Sequence, residues 1–535
     1  MLPEDKYFQT LSREELWKRY CGFLDLSIDE FMDIQKELMM DQIERVTGST
    51  LCKKIMKDQK PATIEEFRRV VPLTTYEDYE PYLSERQEGS LATKTLYWCH
   101  SSGRGGTFKW LPVNLETAVN FTRHFLACWI LASATKKGEV NVMPDMRLFA
   151  NWPPPPYASG SGFQFFVNQF SADVFPPLDL VSQNGDFQAR MQKGFEIGLR
   201  KGVDALTGLS SVLVKIGEGF SNKTRKRKFT ASDLHPVVMY RFLKALTRSK
   251  LEQRSILPKD LWSPSAILCG GLDTQLYKKD VARYWGVEPF DFYVSTETTF
   301  LALQSWTKKA MTFLPDSVFL EFIPRDDLHK NGDDDYDQSS LLLLDELEEG
   351  KLYEVVITQF HGLPLLRYRM DDIIKVIALK DAETGISLPQ FLIQGKVGST
   401  IDLAGLCELD EKTVWEAISA TGIKYEDWTA CKEYDEHNSY IRILIELKEN
   451  KDPIELAGVF DKQLKLADID YKDIEFYLQL NPVKVTILSP GTFQNYFEEK
   501  VREGADFAFL KPTHMNPSKK IIERLLYFSE TNKTR

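Results

Sequence analysis

Through the opening segment apolar residues recur at helical spacing, as at Phe31, Ile34 and Leu38, and polar start signals precede the runs. Ser12-x-x-Glu15 and Ser27-x-x-Glu30 have the form of capping boxes, in which a hydroxyl and a carboxylate satisfy orphan amides at a helix N-terminus. Thr63-x-x-Glu66 starts another helix, which Val71-Pro72-Leu73 breaks before a short helical piece holding Tyr79 and Tyr82. Residues 115–134 predict a long helix carrying Phe121, Phe125, Trp129 and Leu131. Pro153 to Pro156, following Asn151-Trp152, lack the amide donors for helix or central strand and read as a stiff surface turn.

From Ile267 the pattern changes to short apolar runs separated by glycine and polar clusters. Ala266 to Gly271 predicts a buried strand, about Thr274 to Trp285 a helix, and Phe290 to Val294 the next strand. Such strand–helix–strand units bind ligands beyond the carboxyl ends of their strands, where Ser295-Thr296-Glu297 falls. Leu352 to Thr358 predicts a further strand, and Leu365 to Ile374 closes this region. Near Gln394 to Gly398 two glycines flank a turn, after which a smaller segment carries its own helices and strands; a domain boundary is expected there, giving 1–394 and 395–535. The acidic stretch Asn331 to Asp337 lacks the ligand order of a calcium loop.

A chain of 535 residues exceeds one core, and 43% hydrophobic with 12% aromatic content supplies globular interiors. With 67 basic against 78 acidic residues the net charge is −11, which argues against a nucleic-acid partner. The basic run Asn222 to Lys228 reads as a solvated loop in preference to a ligand patch. The seven cysteines are scattered without a C-x-x-C pair, so neither a disulfide framework nor a zinc site is indicated, and a reducing cytoplasm is the expected location. No leader and no uninterrupted apolar stretch long enough to span a bilayer is visible, so no membrane partner is expected. Phe163, Phe165, Phe166 and Phe170 either wall a cavity or fill the core.

The densest candidate chemistry lies between Tyr97 and Trp110. Ser101, Ser102, Gly103, Arg104, Gly105 and Gly106 put hydroxyls and glycines between two apolar runs, with Lys109 behind. Glycine permits the close approach and positive φ that an anion nest requires, so the stretch reads as a phosphate-gripping loop, with a Ser/Gly hairpin turn as the alternative.

Ser101-Ser102-Gly103, Tyr293-x-Ser295-Thr296-Glu297 and Arg367-Tyr368-Arg369-x-x-Asp372, in this order, resemble the adenylate-forming superfamily of acyl- and aryl-CoA ligases, luciferases and peptide-synthetase adenylation domains. Within it the chain is similar to the acyl acid amido synthetases of the Gretchen Hagen type. Val71-Pro72-Leu73 with Tyr76 to Tyr79, Gly350-x-x-Tyr353 to Thr358 with Gly362-Leu363, and Pro490 to Phe493 with Gly504 and Lys511-Pro512 carry that likeness along most of the chain.

The resemblance implies an α/β fold: a large N-terminal adenylate-forming domain with mixed sheets flanked by helices, and a small mobile α+β C-terminal domain. It implies ATP and Mg²⁺ as cofactors, with a small carboxylic acid and an amine, an amino acid, as substrates. The acid would attack the α-phosphate to give an acyl-adenylate, and the amine would displace AMP. Ser101, Ser102, Gly103 and Arg104 would hold phosphate oxygens, Gly270 and Gly271 would admit the base, and Tyr293 would stack on it beside Ser295 and Thr296. Glu297 would hold Mg²⁺, Asp372 the ribose hydroxyls, and Arg367 and Arg369, alternating on a strand, would bring two cations to the nucleotide from one face. Lys511 and Arg369 would act catalytically. His100 and His514 are read as structural, because the chemistry needs no histidine base. Two positions depart from the family pattern: Arg104 stands where threonine is usual, and Asp371 where glycine precedes the ribose aspartate. An acyl-CoA ligase and a non-catalytic nucleotide-binding relative are the alternatives, and the oligomeric state is unknown.

Overall fold

The structure, a computed structural model, describes residues 2–100, 109–150, 152, 154–177, 187–208, 210, 213–214, 216–218, 235–270, 274–325, 341–396, 401–403, 407–435, 438–449, 451–468, 471–472, 482–503, 513–517 and 519–533. The N-terminal helices begin where their start signals stand. Ser12 and Ser27 close complete capping boxes on the helices Arg13–Cys21 and Ile28–Val46. Thr63 caps Ile64–Val70 by accepting from the Glu66 amide at 3.1 Å, but the Glu66 carboxylate accepts from the Ala62 amide at 2.9 Å, so that box stays open. The helix Leu115–Ser133 starts at Asn114, whose side chain accepts from the Thr117 amide, and is buried on almost every side after its first turn, as befits a central helix.

A hairpin of β1 (Tyr97–His100) and β2 (Trp110–Val113) precedes the main sheet. That sheet has eleven strands: β3 (Met146–Ala150), β4 (Ala172–Phe175), β5 (Ala205–Gly208), β6 (Ala266–Gly270), β7 (Phe290–Ser295), β8 (Thr299–Gln304), β9 (Met311–Phe313), β10 (Val318–Pro324), β11 (Leu352–Gln359), β12 (Tyr368–Ala378) and β13 (Gln390–Lys396). Their order is β10-β11-β12-β13-β9-β8-β7-β6-β5-β3-β4. The run β4-β3-β5-β6-β7 is parallel, whereas β8 and β9 turn back antiparallel. The strand–helix–strand expectation holds: β6, the helix Thr274–Trp285 and β7 follow in order, and β6 is apolar and buried as a strand covered on both faces must be. Phe163, Phe166 and Phe170 are among the most fully buried side chains, and Phe165 packs on a small cluster with Cys99 and Val113; these aromatics fill core.

The chain divides into two compact units, the first running to Ile393 apart from two short stretches and the second beginning at Gln394. The second contains the hairpin β14 (Ile401–Leu403) and β15 (Cys407–Leu409), and a sheet of β16 (Tyr425–Asp435), β17 (Asn438–Leu447) and β18 (Val483–Leu488). Its helices Glu411–Ala420 and Pro453–Ala467 contribute Val414, Ile418, Phe460 and Leu464 to a core shared with Trp428 and Ile443.

Candidate functional site

β7 delivers Ser295, Thr296 and Glu297 into the turn to β8 at the carboxyl end of the parallel run. The Thr298 amide donates to Ser295 Oγ at 3.1 Å, and Gln359 Nε2 donates to the Glu297 carbonyl at 2.6 Å. The same Gln359 side chain accepts from the Leu365 amide at 3.1 Å, which ties this turn to the segment entering β12. Ser317 Oγ donates to the carbonyls of Thr298 at 3.2 Å and Phe300 at 2.5 Å. These bonds hold Thr299 at φ 60°, a left-handed conformation that costs a β-branched residue about 1–2 kcal/mol.

The Glu297 carboxylate is half-exposed and makes no hydrogen bond or ion pair with any described residue. Its charge reaches the base of the Ser/Gly loop. Burial, and then Glu297, push the Cys99 thiol up to about 12, and burial, with a smaller contribution from Glu297, raises the Tyr76 phenol to about 12.

The loop's ends are fixed from several sides. His100 pairs with Trp110 across the hairpin, and the His100 ring packs edge-on against Trp110 and Tyr157 at 4.8 and 4.6 Å, a structural placement. Tyr76 Oη accepts from the Trp110 amide at 2.8 Å. Lys109 Nζ donates to Tyr368 Oη at 3.3 Å and lies 5.6 Å from the Tyr76 ring centre. The hairpin ends, the Glu297 turn and the start of β12 are thereby brought together. Ser101, Ser102, Gly103 and Arg104, together with Gly271 and Lys511, lie outside the described residues.

The expectation that Arg367 and Arg369 present one cationic face is overturned. Arg367 precedes β12 at φ 45° and has no exposed surface. Its Nε and Nη2 donate to Glu321 at 2.9 and 3.0 Å, and its Nη1 donates to the carbonyls of Arg68 at 2.5 Å and Val71 at 2.9 Å. A guanidinium so enclosed is a core clamp, not a nucleotide ligand. Arg369 instead turns to Glu354, donating from Nε at 2.8 Å and Nη2 at 2.9 Å. Thr74 lies against this pair, its amide donating to the Arg367 carbonyl and its carbonyl accepting from the Arg369 amide, both at 2.9 Å. The Val71-Pro72-Leu73 stretch and the Arg-Tyr-Arg stretch are therefore one structural unit.

Asp372 is buried within β12 at 8% exposure, and the exposed Asp371 before it adopts φ 57°. Glycine enters that left-handed region without penalty and aspartate tolerates it. Tyr293, expected to stack on the base, is interior, 5% exposed and paired with Ala302 in the sheet. Gly270 lets the Phe292 ring approach closely: a Cβ there would stand 3.0 Å from it. The sequence reading missed Glu321, Glu354 and Gln359, although a lone carboxylate in an apolar strand, as in β10 and β11, is the signal of a buried ion pair.

In the second unit His514 donates from Nδ1 to Glu411 at 2.8 Å and from Nε2 to Asp427 at 2.9 Å, and stacks on Trp428 with ring centres 4.5 Å apart. Burial alone would lower its pKa, but the two carboxylates prevail and raise it to about 10.

The GH3 family N-terminal domain matches residues 22–163, the GH3 family central domain residues 311–391 and the GH3 family C-terminal domain residues 411–520. The chain is 28% identical over 225 residues to jasmonoyl--L-amino acid synthetase GH3.5 of Oryza sativa subsp. japonica, covering 40% of this chain and 38% of that one. It is 27% identical over 212 residues to the GH3 domain-containing protein of Mus musculus, covering 36% and 37%. The chain thus spans less than half the length of the curated relatives it matches. Its fold is similar to the AtGH3.15 acyl acid amido synthetase in complex with 2,4-DB, with TM-score 0.68, 17% identity and 97% of each chain covered. It is also similar to 2-hydroxyisobutyryl-CoA ligase in the postadenylation state, with TM-score 0.62, 11% identity and 98% and 96% covered.

Proposed function

Because the chain belongs to the GH3 family, we propose that it is an ATP-dependent ligase that joins a small carboxylic acid to an amine, an amino acid, through an acyl-adenylate. The carboxylate oxygen attacks the α-phosphorus of ATP and pyrophosphate leaves. The amine nitrogen then attacks the acyl carbon, AMP departs and the amine's proton passes to solvent. The carrying observation is the convergence of the Glu297 turn, the two ends of the Ser/Gly hairpin and Tyr368.

The unpartnered Glu297 carboxylate fits one cation shared with phosphate oxygens, and the described residues hold no cluster of three or more His, Cys, Asp or Glu that would cage a metal without substrate. Glu297 would hold Mg²⁺ there together with the nucleotide, and the ion would supply charge neutralisation at the phosphates. Ser101, Ser102, Gly103 and Arg104 grip phosphate, Ser295 and Thr296 line the nucleotide, Asp372 holds the ribose, and Arg369 and Lys511 stabilise the charge that develops in each half-reaction. The residues divide these tasks between an adenylation domain, 1–394, and a lid domain, 395–535. The cysteines whose side chains are described are buried and unbridged, which supports a reducing cytoplasm as the working compartment.

ATP–pyrophosphate exchange with a panel of acids tests the reading. Glu297→Gln is expected to lower exchange by roughly 10²-fold or more with an unchanged melting temperature. Absence of exchange at saturating ATP with every acid rejects it. AMP release driven by CoA in place of amino acids assigns the acyl-CoA ligase reaction instead.

A further inference from the structure

The helix Pro236–Leu251 buries Val238, Phe242, Ala245 and Ser249 against the rest of the first unit. Its outward side is also apolar. Met239, Tyr240, Leu243 and Leu246 recur at three- and four-residue spacing, and Leu251 ends the ridge; Tyr240, Leu243 and Leu251 are 68%, 61% and 81% exposed. A contiguous apolar ridge of this kind marks an interaction surface.

Charge narrows the partner. The helix carries Arg241, Lys244, Arg248 and Lys250 and no acidic residue, within a chain whose net charge is −11. Arg241 is taken up by the Leu261 carbonyl and Arg248 by Glu252. Lys244 and Lys250 are exposed and make no ion pair with any described residue. Each follows a ridge residue by four positions, Tyr240 and Leu246, and so lies beside it on the same side of the helix. A second copy docking antiparallel about the middle of this helix would set Lys244 against its own copy.

The ridge carries little directional chemistry. Thr247 spends its hydroxyl on the Leu243 carbonyl of its own helix at 2.9 Å, which leaves the amphipathic Tyr240 phenol as the ridge's exposed neutral polar group. An exposed apolar ridge that carries one amphipathic phenol and is flanked by lysines suits an anionic lipid surface, whose headgroup boundary takes up apolar side chains and tyrosine while its phosphates meet lysine.

We propose that the outward face of the Pro236–Leu251 helix is a peripheral docking site for anionic phospholipid. The sixteen-residue helix, about 24 Å long, lies in the plane of the interface. Tyr240, Leu243 and Leu251 enter the headgroup boundary while Lys244 and Lys250 meet the phosphates. The expectation of no membrane partner rested on the lack of a spanning segment, and no helix among the described residues is long and apolar enough to cross a bilayer; surface contact requires none.

The test is co-sedimentation of the full chain with vesicles of phosphatidylcholine alone or mixed with phosphatidylserine. Binding is expected only to the mixed vesicles and is expected to fall with added salt. Tyr240→Ser with Leu243→Ser, and separately Lys244→Glu with Lys250→Glu, are each expected to weaken binding roughly tenfold or more, with melting temperature and pyrophosphate exchange in solution unchanged. Absence of binding, equal binding to both vesicles or equal binding by the variants overturns the proposal. So does a concentration-dependent dimer that the Tyr240/Leu243 variant abolishes, which would assign the ridge to a second copy. None of these results bears on the ligase reading, whose test needs no vesicles.

Discussion

A guanidinium without exposed surface, such as that of Arg367, must find its hydrogen-bond partners inside the protein. Glu321 and two backbone carbonyls supply them, and Arg68 also reaches Glu321. Arg367→Met is accordingly expected to destabilise the protein by about 3 kcal/mol, read by chemical denaturation, because it leaves buried acceptors short of donors. The KM for ATP of the folded fraction is expected to change by less than about twofold, whereas a nucleotide ligand would show the reverse pattern. The Arg-Tyr-Arg stretch was visible in the sequence, but its two arginines could not be sorted there. Spacing places alternate residues on one side of an ideal strand; Arg367 lies before the strand in a left-handed conformation that spacing does not encode. Glu297, named from the sequence as a metal ligand, keeps a carboxylate unpartnered among the described residues.

Among the elements, those written by local chemistry were the most readable. The two serine capping boxes, the helix Leu115–Ser133 and the β6–helix–β7 unit stand where hydroxyl spacing and apolar period put them. Close approach between elements was not readable. Gly162 in the helix Ala158–Val167 faces Phe121 so tightly that a Cβ would stand 2.8 Å from its ring. Gly162→Ala is expected to cost about 1–3 kcal/mol in thermal denaturation, and adding Phe121→Leu is expected to recover part of the loss. The turn at Glu297 shows the same limit. Its residues were named from sequence, while Gln359, which arrives from β11, and Ser317, from the turn before β10, hold its backbone.

For the whole molecule, two units with separate cores are expected to give two calorimetric transitions. His514 marks the second. Its pKa in the fold, about 10, lies above the ordinary value of 6.5 in the unfolded chain, so its contribution is full below about pH 6.5, shrinks above it and is lost as pH passes 10. Raising the pH through that window is expected to lower the second transition of the wild type relative to His514→Gln. At pH 6 the substitution itself is expected to cost about 1–3 kcal/mol, since both carboxylates lose their cation and are partly exposed. By itself the sequence determined the helix starts, the alternation of strands and helices, the excess of acid over base and the order of the motif residues, because each depends on neighbours a few bonds away. Only the tertiary structure decided which charged side chains are consumed by the core, which glycines are squeezed by rings, and which apolar helix face is left outward, because those outcomes depend on what distant segments bring to the same place.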